Sequence, residues 1–172
     1  SSYFIKGNHT IYLAFDRVLT RMGFPSKAAR ETAEEGQDHY PIVLLDYHRG
    51  ARAIVEKIQE DAPDLLEKIL VIDFNLEVLK ELEDRHVKGV FGDISSMDTL
   101  DHAHVAGAEV ILSTIPDMLL KNTSNLSLVK TCRMLAPNAL IVATADSAEQ
   151  AEELKTSGAN EVLLPYSLIG EA

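Results

Sequence analysis

Carboxylates or hydroxyls close four of the apolar runs in this chain. Ile42 to Leu45 stops at Asp46, and Ile69 to Ile72 stops at Asp73. Val87 to Phe91 ends in Gly92-Asp93, and Val110 to Leu112 ends in Ser113-Thr114. A carboxylate at the end of a buried strand is a rigidly held acceptor, suited to the two hydroxyls of a ribose. Asp73 fits that chemistry, with capping of the next helix at Asn75 as the structural alternative. Asp73 lies somewhat further beyond Asp46 than the usual ~20 residues, and the insertion Asp61-Ala-Pro-Asp-Leu-Leu66 accounts for the excess. Gly92 would let backbone approach a ligand closely, and Asp93 beside it would order the adjoining loop. The competing reading of that pair is a tight turn with an Asx cap. Thr114 and Ile115 would face them across the crevice with backbone contacts and an apolar wall, or would simply form a strand exit.

The phosphate end of such a site belongs to the stretch Pro41-Ile-Val-Leu-Leu-Asp-Tyr-His-Arg-Gly-Ala-Arg52. An apolar run passing straight into a helical pattern is how a buried parallel strand enters the first helix of a nucleotide-binding βαβ unit. The turn of such a unit carries G-x-G-x-x-G, so that phosphates lie against backbone N–H groups at the helix N-terminus. Here the three glycine positions read Asp46, His48 and Ala51. Alanine is allowed at the third. His48 places a side chain where a pyrophosphate would press on the backbone, and Asp46 repels anions unless Arg49 or Arg52 pairs with it. A standard pyrophosphate site is therefore disfavoured, and a mononucleotide with its phosphate on Arg49 survives better.

These residues need a sheet to hold them. The pattern predicts strands over 41–46, 69–73, 87–91, 109–113, 139–143 and 161–164. Helices are expected over about 50–61, 75–84, 96–103, 118–135 and 148–156, with Ala53, Ile54 and Ile58 facing inward on the first. Ser96 and Ser147 are expected N-caps, and Gly158 stops the last helix. Six short apolar strands alternating with helices make an α/β fold: a Rossmann-like, doubly wound, parallel six-stranded sheet with helices on both faces. Ahead of it, residues 1–39 read as a helical arm, with helices over about 10–22 and 26–35, and 40–172 as the sheet-bearing lobe.

Composition excludes several classes. A net charge of -11 argues against nucleic acid, whose affinity comes mainly from Lys and Arg on phosphates, and against anionic membrane surfaces. A single cysteine, Cys132, rules out an internal disulfide and reads as a buried structural thiol in a reducing compartment. No apolar run reaches the ~20 residues that span a bilayer, and no signal peptide is visible. The opening Ser-Ser without Met suits a piece of a longer protein. His102 and His104, beside Asp98 and Asp101, point to different helix faces and read as solvated surface. Glu149, Glu152 and Glu153 read as a solvated helix face.

The strand ends Val71-Ile-Asp-Phe-Asn75, Phe91-Gly-Asp-Ile-Ser95, Ser113-Thr-Ile-Pro-Asp117 and Ala143-Thr-Ala-Asp146, with Gly158-Ala-Asn-Glu-Val-Leu-Leu-Pro165, together resemble the RCK domain, also called TrkA-N or KTN. That domain is the regulatory module of potassium channels and monovalent cation–proton antiporters. The resemblance covers about residues 40–172, and Tyr3 to Gly23 is similar to the linker that follows the membrane domain of Kef-type antiporters. It implies a cytosolic-side domain of an integral membrane protein, sensing an adenine nucleotide and controlling K+ or Na+ transport through rearrangement of a homodimer. AMP or NAD(H) is the first expectation for the ligand, with ADP and ATP as alternatives. The implied contacts are Tyr47, His48, Arg49, Asp73, Phe74, Asn75, Gly92, Asp93, Ile94, Thr114, Ile115 and Pro116. No metal or catalytic residue is implied, and the partner is the membrane transport domain of the same full-length chain.

Three other readings compete. A lobe that has lost nucleotide binding would serve only as a dimerising scaffold. An NAD-dependent oxidoreductase would need a proton donor such as a Tyr-x-x-x-Lys pair, and none of the tyrosines has Lys four positions later. A phosphoacceptor receiver domain would need a lysine after the fifth strand, where the chain reads Thr144-Ala-Asp146.

Overall fold

The computed structural model of the chain describes residues 39–165. The expected helical arm lies outside the described residues, apart from His39. Six strands form one sheet: β1 (Ile42–Leu45), β2 (Ile69–Asp73), β3 (Lys88–Phe91), β4 (Val110–Ser113), β5 (Leu140–Thr144) and β6 (Glu161–Leu163). All pair in parallel, in the order β3-β2-β1-β4-β5-β6. The helices are α1 (Arg49–Asp61), α2 (Leu76–Asp84), α3 (Met97–His102), α4 (Asn125–Leu135) and α5 (Ala148–Thr156). Short 3-10 turns at Pro63–Lys68, Val105–Gly107 and Asp117–Leu119 complete the connections.

The alternation of side chains along a strand explains the layers. Ile42 and Leu44 of β1 pack on one face with Ile54, Val55 and Ile58 of α1 and Leu82 of α2. Val43 and Leu45 pack on the other with Leu100 of α3, Leu128, Val129 and Cys132 of α4, and Leu154 of α5. Burying both faces is what turns the strands into unbroken Val/Ile/Leu runs. Arg85 reaches back from the end of α2 to Glu56 of α1 at 3.3 Å, fastening the two helices on their shared face. Cys132 is 1% exposed, and burial pushes its thiol up to about 12 against the opposing pull of Arg133, so it is an inert core group. Among the described residues no helix is long and apolar enough to cross a membrane.

Two expectations need correction. On α1 the inward residues are Gly50, Ala51, Ile54, Val55 and Ile58, while Ala53 is only half-buried. The apolar spacing was compatible with either set, and contact with the sheet selects the stripe that includes the motif position Ala51. The long helix expected over 118–135 is split. After β4 the chain makes one 3-10 turn, runs extended past Leu120, turns at Asn122 (φ 59°), and starts α4 only at Asn125 with Ser124 as N-cap. The hydroxyl of Ser124 accepts from the Ser127 N–H at 3.1 Å. That cap sets the start of the helix, because it satisfies a donor that would otherwise be left open. The expected caps Ser96 and Ser147 are in place, accepting from the N–H groups of Thr99 and Gln150.

Candidate functional site: the crevice at the strand C-termini

The sheet order reverses between β1 and β4, since β2 and β3 continue on one side of β1 and β4 to β6 on the other. Loops leaving the C-terminal ends of adjacent strands at such a point part to opposite faces and leave a crevice, the usual ligand position in open α/β sheets. Register brings the strand ends level: Leu45 lies opposite both Ile72 and Ser113, and Asp73 opposite Phe91.

Asp46 is the first residue past β1 and adopts φ 72°, a left-handed conformation. Among residues with a side chain, Asp and Asn are those that most readily take it, so Asp46 reproduces the backbone of the missing glycine while adding a carboxylate. The next N–H, of Tyr47, donates to Asp73 Oδ2 at 2.9 Å, and the Asn75 N–H donates to Asp73 Oδ1 at 2.8 Å. Asp73 is 5% exposed. Its two oxygens therefore knot the β1–α1 turn to the β2–α2 turn, and the hydrogen bond to Asn75 is the structural alternative weighed for it. Asn75 is itself the N-cap of α2, its side chain accepting from the Glu77 N–H. Burial above all, and then the neighbouring Asp73 carboxylate, push Asp46 up to about 6, with the Tyr47 N–H pulling the other way.

Of the other residues around the first turn, His48 is the half-buried N-cap of α1 and makes no side-chain cap bond. Its imidazole is held below the ordinary value by burial, then by the charges of Arg49 and Arg52, which favours the neutral ring. Arg49 opens α1 and is exposed. The Tyr47 side chain is buried in the α1 and α2 layer. Arg52, one of two candidate counter-charges for Asp46, is committed elsewhere: it pairs with Glu81 of α2, with its guanidinium 5.0 Å from the Tyr47 ring centroid. The helical turn from 49 to 52 carries Arg52 onto the α2 side, away from the role expected of it.

Beyond β3, Asp93 Oδ1 accepts from the Ser95 N–H at 2.8 Å, so this loop is an Asx turn. Gly92 has a packing reason of its own, because a Cβ there would stand 2.4 Å from Thr99 Cγ2 of α3. Across the crevice, the loop after β4 hangs on Asn125, which is fully buried. Ser113 Oγ donates to its Oδ1 at 2.6 Å, and its Nδ2 donates to the Ile115 carbonyl at 2.9 Å and to Asp117 Oδ1 at 2.8 Å. Gln150 of α5 holds the other oxygen of Asp117 at 2.9 Å. Thr114 is buried, and its hydroxyl has no hydrogen-bond partner among the described residues. Pro116 is buried at the start of the 3-10 turn.

These loops enclose a cleft of about 260 Å³ lined by Asp46, Phe74, Asp93, Ile94, Leu119, Leu120, Lys121 and Asn122. Three of the residues singled out from the sequence, Phe74, Asp93 and Ile94, meet there with Asp46. Tyr47, His48, Arg49, Asp73, Asn75, Gly92, Thr114, Ile115 and Pro116 stand around the strand ends without lining it. Leu119 to Asn122 were missed because their apolar spacing runs smoothly into α4. The dipeptide Lys121-Asn122 ahead of Ser124 was the signal that a loop intervenes, and it brings a cation to the cleft rim.

The TrkA-N domain family model matches residues 42–165, most of the chain. Over 138 residues the chain is 35% identical to "Probable potassium channel protein 2" of Methanocaldococcus jannaschii, covering 78% of this chain and 37% of that protein. It is 23% identical to "Potassium channel protein 1" of the same organism, covering 99% of this chain and 45% of that protein. The chain thus spans less than half the length of these curated relatives. Among solved structures, the TrkA-N domain of the inner membrane protein ybaL from Escherichia coli superposes with a TM-score of 0.64 at 25% identity, covering 77% of this chain and 90% of that one. The GsuK channel bound to NAD gives 0.61 at 23% identity, covering 92% of this chain and 26% of that one, a likeness of fold. A strand order, a switch-point crevice and a family match that coincide over the same residues lead to one conclusion: the chain belongs to the TrkA-N (RCK) domain family.

Proposed function

We propose that this lobe senses an adenine nucleotide in the crevice between β1 and β4 and passes ligand state to a membrane transport domain, controlling monovalent cation movement without catalysing a reaction. The observation that carries the reading is the cleft itself, which sits at the switch point and combines an apolar wall (Phe74, Ile94, Leu119, Leu120) with Asp46, Asp93 and Lys121. Apolar walls hold a base, and a few convergent polar groups orient the rest of the ligand. In this reading Asp93 meets the ribose and adenine end, Leu119 to Asn122 close the far side, and Asp73 acts from behind the cleft by holding the β1–α1 turn to the β2–α2 turn. GsuK structures bound to NAD and to ADP support an adenine nucleotide as the ligand class. A homodimer of lobes is the element that ligand binding would bias.

For the transport domain, the resemblance of Tyr3 to Gly23 to an antiporter linker favours a Kef-type K+ or Na+/proton antiporter. The names of the two curated relatives favour a potassium channel as the second reading. Either places the lobe on the cytosolic side of its membrane domain.

Calorimetric or thermal-shift titration with AMP, ADP, ATP, NAD+ and NADH tests the sensing role. At least one should bind or raise the melting temperature, and Asp73→Asn should weaken it. No response to any of them at millimolar concentration would leave the scaffold reading in its place.

A further inference from the structure

The first glycine of the phosphate turn is replaced here by a residue that keeps the turn's shape and reverses its charge. Asp46 sits at φ 72° and lines the cleft at the end of β1. Asp73 lies close enough for the two carboxylates to repel. The turn thus presents an anion where the family's fold offers a partial positive charge to a diphosphate. The remaining cation of the cleft wall is Lys121, on the opposite rim after β4. The cleft, at about 260 Å³, is also small beside the ~300–1,000 Å³ of ordinary small-molecule sites.

We propose that Asp46 is the specificity-determining residue of this crevice: it turns diphosphate nucleotides away and leaves the site to adenosine and its monophosphate, whose phosphate is met by Lys121. This rests on the nucleotide-sensing reading and narrows it. A 5′-monophosphate has one anionic group, which can swing to the Lys121 rim. A diphosphate bridge must run along the β1–α1 turn, within reach of Asp46. The exclusion is electrostatic, so it is set by the charged and titratable groups around Asp46. These are Asp73 at the end of β2, Asp93 after β3, Lys121 after β4, and His48 and Arg49 at the start of α1. Protonation of Asp46 at mildly acidic pH relaxes it.

The test compares wild type with Asp46→Gly, Asp46→Asn and Lys121→Gln by calorimetry. Adenosine, AMP, ADP and NAD+ are titrated in EDTA, so that no divalent ion bridges carboxylate and phosphate. Glycine and asparagine both accept a left-handed φ, so both variants retain the turn; circular dichroism checks it. Wild type should bind AMP at least about tenfold more tightly than ADP or NAD+, the scale of one like charge at close range. Asp46→Gly and Asp46→Asn should each tighten ADP and NAD+ by about tenfold or more, with adenosine little changed. Lys121→Gln should weaken AMP and spare adenosine. At pH 5 the wild-type preference for AMP over ADP should shrink by more than that of Asp46→Asn, in which only His48 and the phosphates still titrate. Binding of ADP and NAD+ as tight as AMP, with Asp46→Gly indistinguishable from wild type, overturns the proposal and leaves nucleotide sensing intact. No binding of any ligand to any variant removes the sensing reading, and this proposal with it.

Discussion

At the scale of a residue, Asp46 carries a cost in stability that its pH dependence exposes. Its carboxyl is raised from the ordinary 3.8 to about 6 by burial and by Asp73. Between those values the folded chain holds a proton that the unfolded chain has released. Stability contributed by the protonated form is therefore full below about 4 and is lost as pH rises through about 6. Removing the charge while keeping the left-handed turn should recover it. Asp46→Asn should stabilise the lobe by on the order of 1–3 kcal/mol at pH 7.5, and by nearly nothing at pH 3.5. Urea unfolding at the two pH values measures this. A variant as stable as wild type at pH 7.5 would show that Asp46 is solvated rather than desolvated. The same side chain thus weakens the fold and shapes the ligand, a pairing common where a site departs from the local rules of its fold.

At the scale of an element, the loops differ sharply in how far the chain alone revealed them. The strand ends were legible because a buried parallel strand is a short Val/Ile/Leu run, and a change to Asp, Gly-Asp or Ser marks where the run gives way to a turn. The caps Ser96 and Ser147 were legible because the signal is local. The loop from Asp117 to Ser124 was not. Met118, Leu119 and Leu120 continue the apolar spacing of α4, and beside the local Ser124 cap what holds them out of the helix is tertiary: Asn125 is bonded to Ser113, Ile115 and Asp117. Half of the cleft wall was lost with that loop. Gly92 shows the converse, a residue found for a ligand reason that has a packing one. Thr99 is β-branched and stiff, so its Cγ2, 2.4 Å from an added Cβ, cannot swing away cheaply. Gly92→Ala should cost about 1–3 kcal/mol, and Thr99→Ser, which deletes that methyl, should restore a large share of it in the double variant. Additive losses in a denaturant-monitored double-mutant cycle would mean that the two residues do not meet.

At the scale of the whole molecule, crevice and outer strand share a wall, which would give ligand state a route to assembly in the proposed sensor. Among the described residues β3 ends the sheet on one side, and an open strand edge with an exposed aromatic at its end calls for a cover. Phe91 at its end is 60% exposed, and Phe74 and Leu76, in the neighbouring β2–α2 turn, are 55% and 63% exposed. Phe74 also lines the cleft. Asp73, immediately before Phe74, lies opposite Phe91 in the sheet register and is hydrogen-bonded to the β1–α1 turn. In the proposed sensor, a ligand that ordered Phe74 from inside the cleft would alter the face that a second lobe would cover from outside, and binding and dimer arrangement would then be coupled in both directions. The prediction is that the lobe forms a dimer in sedimentation equilibrium and that Phe91→Glu weakens it by about tenfold or more, since a charge would have to be desolvated at the centre of the contact. Phe91 does not line the cleft, so AMP binding to the monomeric variant should persist, while its influence on self-association should vanish. A wild-type lobe that stays monomeric at high concentration would remove the dimer from the mechanism. A dimer untouched by Phe91→Glu would place the contact on another face and cut the proposed link between Phe74 and assembly.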